Sequence, residues 1–173
     1  INPVRTGYSA IADEWVPIRP GTDGAFLLAV IHEILAKGLY DRDFVVQYTN
    51  GGELVNLDAA HDEYGMFVRT EVPQEGACYD PQNKLWWDRH QNKAVVTHTQ
   101  GADPFLLGEF TLADGTAVKP AFQLLQDRVK DYTPEWAAQI TGIPADTIRR
   151  LAYEMGVTAR DQRIELPIAW TDS

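Results

Sequence analysis

The strongest apolar periodicity in the chain lies between residues 24 and 37. Ala25, Phe26, Leu27, Leu28, Val30, Ile31, Ile34 and Leu35 cover most of a helical circumference, so the spacing predicts a helix packed on more than one side, as one flanking a buried sheet would be. Thr22 is a good N-cap type, Asp23 suits the positive end of the helix dipole, and Gly38 supplies a stop after Lys37. Upstream, Asn2-Pro3 is incompatible with mid-helix, and residues 1–7 read as a strand end followed by a loop. Tyr8–Ala12 reads as a short helix. Trp15–Ile18 reads as a short extended segment, with Pro17 confining it to an edge or a strand end. Asp41–Tyr48 starts another helix, with Phe44, Val45 and Tyr48 on one face.

Between residues 50 and 118 no helical period lasts, and Gly, Asn, Asp and Pro are frequent. Leu85-Trp86-Trp87 and Ala94-Val95-Val96 are β candidates separated by a polar run, and Phe110–Val118 reads as a small hairpin around Asp114-Gly115. Helices return at Ala121–Lys130, with Phe122, Leu125 and Val129 at helical spacing. Thr133-Pro134-Glu135 predicts a capped start for a helix through Ile140, ended by Gly142. Pro144-Ala145-Asp146 predicts another, with Ile148, Leu151, Ala152 and Met155 facing inward and Gly156 closing it. Ile164–Trp170 reads as a strand. The order of elements is that of an α/β protein. It divides into an α/β part at 1–50, an irregular β insertion at 51–118, and helices with a following strand at 119–173.

Composition narrows the function classes. The 173 residues carry 15 Lys and Arg against 25 Asp and Glu, a formal net charge of −10. That field repels phosphate backbones and anionic lipid, so neither nucleic acid nor a membrane surface is an expected partner. No stretch reaches the roughly 18 apolar residues of a membrane span. The single cysteine, Cys78, leaves no internal disulfide and no all-cysteine metal site. The chain opens on Ile1-Asn2-Pro3 and stops just after its last strand candidate, which reads as a piece of a larger protein.

The sequence has no Gly-x-Ser-x-Gly elbow, no phosphate-binding loop with lysine, no Gly-x-Gly-x-x-Gly and no Cys/His set at metal-ligand spacing. What remains is two loops at the ends of early extended segments, Asn2-Pro3-Val4-Arg5-Thr6 and Pro20-Gly21-Thr22-Asp23, where open α/β sheets hold their ligands. Gly21 lets a ligand approach the backbone, and Thr22 offers a hydroxyl. The Asp23 carboxylate can accept two hydrogen bonds, which matches the adjacent N–H donors of guanine and not adenine.

Asn2–Thr6, followed by Ala12-Asp13-Glu14-Trp15-Val16-Pro17-Ile18-Arg19-Pro20-Gly21-Thr22-Asp23-Gly24-Ala25, resembles the molybdopterin oxidoreductases, the dimethyl sulfoxide reductase family. Leu39–Val45, Tyr48-Thr49, Tyr132–Ala138, Thr141–Ala145 and Ile148–Ala152 continue the likeness. It covers roughly residues 1–50 and 119–158, and the segment between is where that family varies. The resemblance implies a Rossmann-like three-layer α/β fragment with an irregular β-rich insertion. It implies a molybdenum (or tungsten) bis(pyranopterin guanine dinucleotide) cofactor in the full protein, and an Fe–S cluster elsewhere in it. Asn2, Pro3, Val4, Arg5 and Thr6 would line the cofactor, and Gly21, Thr22 and Asp23 would hold its guanosine end. Family members often carry aspartate where Asn2 stands. Nothing in the chain matches the family's metal-ligating Ser, Cys or selenocysteine, nor its cluster cysteines, so no catalytic or metal-ligating residue is expected here. The partners implied are an electron-transfer subunit and the remaining domains of the same catalytic subunit. The compartment stays open, with export to the periplasm common among relatives.

The long insertion points toward a sulfur- or arsenic-oxyanion reductase as the parent. Two other readings stand beside this one: a stand-alone purine-nucleotide-binding module, and a non-enzymatic α/β interaction domain with Trp86-Trp87 as its patch. On local signal alone, Gly21-Thr22-Asp23 and Thr6 are helix caps, Arg5 a surface charge, and Trp15, Trp86, Trp87 and Trp136 packing. By the same standard Cys78 is an inert thiol and His32 a satisfied core or interface histidine. His90 and His98 lie in or beside the insertion with nothing converging on them, and Glu33–Lys37 is an i,i+4 pair.

Overall fold

The computed structural model describes residues 1–70 and 83–163. In chain order it holds a short 3-10 helix at Gly7–Ala10, α1 (Asp23–Ala36), α2 (Arg42–Tyr48), β1 (Leu54–Asn56), β2 (Leu85–Asp88), β3 (Lys93–Val96), β4 (Phe110–Thr111), β5 (Ala117–Pro120), α3 (Ala121–Val129), α4 (Pro134–Thr141) and α5 (Ala145–Asp161). The class is mixed α/β. The elements fall into two compact units, one made of Ile1–Asp41 with the chain from Val129 onward, the other of Arg42–Arg128. The strand candidate Ile164–Trp170 and Cys78 lie outside the described residues.

The described elements of the first unit are helices. α1 packs on both α4 and α5, and α4 packs on α5. Its core joins Val16 and Ile18 of the extended segment to Phe26, Ala29 and Val30 of α1, Ala137, Ile143, Ile148 and Ala152. Among the described residues of this unit the partners of α1 are helices, not a sheet, and Leu27 on its far side is 51% exposed. Residues 1–7 form a loop in place of the expected strand end, tied to the extended segment by the Asn2 N–H on the Val16 carbonyl at 3.2 Å. α1 ends on Gly38, at φ +61°, with the Gly38 N–H on the Leu35 carbonyl and the Leu39 N–H on the Ile34 carbonyl. That pair of bonds satisfies orphan carbonyls of the last turn and turns the buried Leu39 inward.

α4 is built as its sequence predicts. Thr133 Oγ1 accepts the Trp136 N–H at 3.2 Å, Pro134 fills the first helical position, and Gly142 closes the helix at φ +78°. α5 departs from expectation. Gly156 does not close it; the helix continues to Asp161, and Gly156 is a buried interior position packed on Leu39. The buried face is Ile148, Ala152 and Gly156, an i, i+4, i+8 row, so Met155 points outward and is 53% exposed.

The second unit carries the β structure. β5 is the centre of an antiparallel three-strand sheet, pairing β1 (Val55 opposite Lys119) on one side and β4 (Phe110 opposite Val118) on the other. β2 and β3 form a separate hairpin with Trp86 opposite Val95. The Asp88 carboxylate, fully buried, accepts the Asp103 N–H at 2.8 Å and the Gln91 N–H at 3.0 Å, and so ties the hairpin turn to a neighbouring loop. At the β4–β5 connection Asp114 Oδ1 accepts the Thr116 N–H and Gly115 takes φ +93°, as Asp-Gly there predicts.

Candidate functional site

Both candidate loops belong to the first unit, at the two ends of the segment Trp15–Ile18, whose Val16 and Ile18 are buried in its core. The structure brings the members of each loop together. No hydrogen bond or ion pair joins one loop to the other among the described residues.

The first loop is shaped by Asn2. Its side-chain oxygen accepts the Val4 N–H at 3.0 Å, and its carbonyl accepts Trp15 Nε1–H at 3.0 Å. The Asn2 oxygen thus closes the turn, and its amide N–H groups have no partner among the described residues and can be offered to a ligand. Thr6 starts the 3-10 helix, with its N–H on Ser9 Oγ at 3.2 Å and its carbonyl accepting the Ser9 N–H at 2.9 Å. Pro3, Val4 and Arg5 face solvent, and the Arg5 guanidinium has no ion-pair partner among the described residues. A cleft of about 130 Å³ opens here, lined by Ile1, Asn2, Thr6, Tyr8, Ser9, Ala12, Glu14 and Trp15. Sequence reasoning missed Tyr8, Ser9 and Glu14 as lining residues; a tyrosine and a serine inside a short polar-flanked helix carry no signal of their own. Glu14 pairs with Arg150 of α5.

The second loop is a tight turn opening α1. The Thr22 N–H reaches the Arg19 carbonyl at 3.3 Å, with Pro20 at the second position and Gly21 at φ +77° in the third, the residues a type II turn requires. An added Cβ at Gly21 would meet nothing within 4 Å, so the backbone there is open to a ligand. Thr22 does not cap the helix with its side chain: its hydroxyl donates back to the Arg19 carbonyl at 2.7 Å. The helix start therefore keeps N–H groups that no side chain has claimed. Asp23 stands in that first turn, exposed, its carboxylate without a hydrogen-bond or ion-pair partner among the described residues.

Arg19, which sequence reasoning also missed, fixes this turn from below. Its N–H bonds the Thr141 carbonyl at 2.9 Å, and its guanidinium bonds the carbonyls of Gln139 at 2.7 Å and Ile140 at 3.1 Å. These partners lie about 120 residues away in the chain, so no local pattern announces them.

The remaining candidates resolve into packing. His32 Nδ1 lies 3.0 Å from the Val129 carbonyl. Trp86 is buried, with His98 edge-on at 4.9 Å, and the half-buried Trp87 stacks on Phe110 at 4.7 Å, so the two tryptophans do not stand side by side as one exposed patch. The expected Glu33–Lys37 pair forms at 2.8 Å, with Glu33 nearly buried and Arg149 also beside it. Arg149 holds the Glu135 carboxyl below the usual range through their hydrogen bond. Among the described residues no three His, Cys, Asp or Glu side chains are grouped to hold a metal ion.

No family model matches the chain. Individual relatives do. The chain is 68% identical over 172 residues, 99% of its length, to a subunit of the sulfite dehydrogenase of Allochromatium vinosum. It is 34% identical over 170 residues, covering 82% of the chain, to the alpha subunit of perchlorate reductase from Dechloromonas aromatica. It is 28% identical over 159 residues, covering 92% of the chain, to the molybdopterin-containing subunit of an arsenate respiratory reductase from a Shewanella species. The chain belongs to the molybdopterin oxidoreductases. It spans only 18%, 18% and 13% of the lengths of those three relatives, so it matches a segment of a molybdopterin oxidoreductase catalytic subunit. The groups that the two loops present have the chemistry to meet a nucleotide. An open Gly21, unclaimed helix N–H groups and a free guanidinium suit phosphate, and an unpartnered carboxylate suits a base with paired donors.

Proposed function

We propose that this chain holds the guanosine end of a pyranopterin guanine dinucleotide in the catalytic subunit of a molybdenum enzyme acting on a sulfur oxyanion. The observation that carries the cofactor part is Asp23: a solvent-facing carboxylate with no partner among the described residues, directly after an open Gly21-Thr22 turn. The substrate part rests on the 68% identity to a sulfite dehydrogenase subunit. When bound, the cofactor supplies the two-electron redox chemistry, and the protein's share is to fix and tune it.

In this reading Asp23 accepts two N–H donors of guanine, and Thr22 and the helix start meet the sugar or phosphate. Arg5 takes a phosphate oxygen, and the Asn2 turn holds the first loop open beside it. The remaining domains of the subunit complete the pocket and a Rossmann-like three-layer fold, with residues 51–118 as the insertion. An Fe–S cluster elsewhere in the full protein passes electrons to an electron-transfer partner, in keeping with relatives whose names mark them as subunits of larger enzymes.

The test is the affinity of the complete, cofactor-free subunit for GMP and for AMP, measured by calorimetry before and after Asp23→Ala. A hydrogen bond to a charged group contributes about 1.5–3 kcal/mol, so losing the carboxylate should weaken GMP at least about tenfold. AMP should change little. Equal GMP binding by wild type and variant would overturn the assignment.

A further inference from the structure

The turn that presents Asp23 is not self-supporting. Its first residue, Arg19, binds three consecutive carbonyls at the end of α4: Gln139 and Ile140 through the guanidinium and Thr141 through the main chain. A helix end leaves its last carbonyls without intrahelical partners and carries partial negative charge, so a planar cation with several donors is well matched to it. The same residue's carbonyl accepts both the N–H and the hydroxyl of Thr22. One end of Arg19 is thus anchored in α4, and the other closes the turn from which Asp23 projects. Gly142, at φ +78°, passes over the guanidinium, and an added Cβ there would sit 3.6 Å from Arg19 Nε.

We propose that Arg19 is a positioning residue for guanine recognition: it sets the height and direction of the Gly21–Asp23 turn by bolting it to the α4 terminus, without touching the nucleotide. This rests on the reading of Asp23 above. A purely structural arginine, if removed, would weaken every ligand of the unit alike. A positioning arginine should cost guanine more than adenine, because only guanine depends on where the carboxylate points.

The experiment compares Arg19→Ala, Arg19→Lys and Asp23→Ala in the complete, cofactor-free subunit, reading the ratio of GMP to AMP affinity and the thermal midpoint. Arg19→Ala should lower the ratio about tenfold, the equivalent of one charge-assisted hydrogen bond. Arg19→Lys keeps the charge and one carbonyl contact but not the fork, and should fall between wild type and Arg19→Ala. If Arg19→Ala does not fold, Arg19→Lys decides: a ratio at least about threefold below wild type supports the proposal, and a wild-type ratio overturns it. A ratio that falls in Asp23→Ala and holds in the Arg19 variants removes Arg19 alone. A ratio unchanged in Asp23→Ala removes the guanine reading and the role of Arg19 with it.

Discussion

Gly156 offers a prediction whose sign can be worked from the structure. Replacing glycine by alanine inside a helix ordinarily stabilises it by about 1 kcal/mol, because alanine loses less backbone entropy on folding. At Gly156 the added Cβ would stand 2.6 Å from Leu39 Cβ and 3.0 Å from the Leu39 carbonyl oxygen. Neither atom is the far end of a flexible side chain. Leu39 is itself held by its N–H bond to the Ile34 carbonyl at the end of α1, so relief requires α5 and the α1 terminus to separate. Forcing an extra methyl into a packed site costs about 1–3 kcal/mol, and at contacts this short the upper part of that range applies. Subtracting the helical gain leaves Gly156→Ala less stable by about 1–2 kcal/mol. Gly24 is the control: it also lies in a helix, and an added Cβ there meets nothing within 4 Å. Gly24→Ala should therefore stabilise slightly. The assay is native-state amide exchange read on α1 and α5, since a change of about 1.4 kcal/mol is tenfold in protection. Loss of about 5- to 30-fold in α5 for Gly156→Ala, with equal or greater protection for Gly24→Ala, is the expected pair. Equal or increased protection in Gly156→Ala would mean that the Leu39 contact yields freely and that close packing does not set the sign at this position.

Other outcomes follow from single contacts. The Asp103 backbone N–H, above all, holds the buried Asp88 carboxyl below its usual range. A depressed folded-state pKa gives stability that is present above the unfolded value of about 4 and is lost as pH falls through the folded one. Acid titration followed by Trp86 and Trp87 fluorescence should show the β2–β3 hairpin loosening below about pH 4, and Asp88→Asn should flatten that dependence. Thr133→Ala removes the acceptor of the Trp136 N–H and should cost about 1 kcal/mol in urea unfolding, most of it restored by Thr133→Ser.

What the sequence made legible is what neighbouring residues settle among themselves. The Pro-Gly turn before α1, the Thr-Pro start of α4, its Gly142 stop and the Asp-Gly hairpin each follow from backbone preferences within about four residues, and each stands where the pattern placed it. β1 was not legible. Leu54–Asn56 is three residues long, and its identity as a strand comes from pairing with β5, far downstream in the chain. Gly156 misled for a related reason. A glycine late in a helical pattern can be a stop or a close-approach point, and only the partner, Leu39, distinguishes the two. The extended segment Trp15–Ile18 was readable as extended, but what it packs on was not: its neighbours in the core come from α1, α4 and α5.

The candidate site divides along the same line. The residues that would meet a ligand, Asn2–Thr6 and Gly21–Asp23, sit in short runs and can be found by reading along the chain. The residues that hold them are scattered: Trp15 and Val16 behind the first loop, Gln139, Ile140 and Thr141 behind the second. Those supports lie on both sides of Arg42–Arg128, since the first unit is assembled from the chain before and after it. The consequence is physical. As long as the ends of that middle segment stay close enough for α4 to reach Arg19, its length and content can change while the hydrogen bonds that hold each loop, made inside the first unit, are kept. Substitution of Gly142, far from the loops in sequence but at φ +78° and beside the Arg19 guanidinium, should by contrast be felt at Asp23, as a lowered ratio of GMP to AMP affinity.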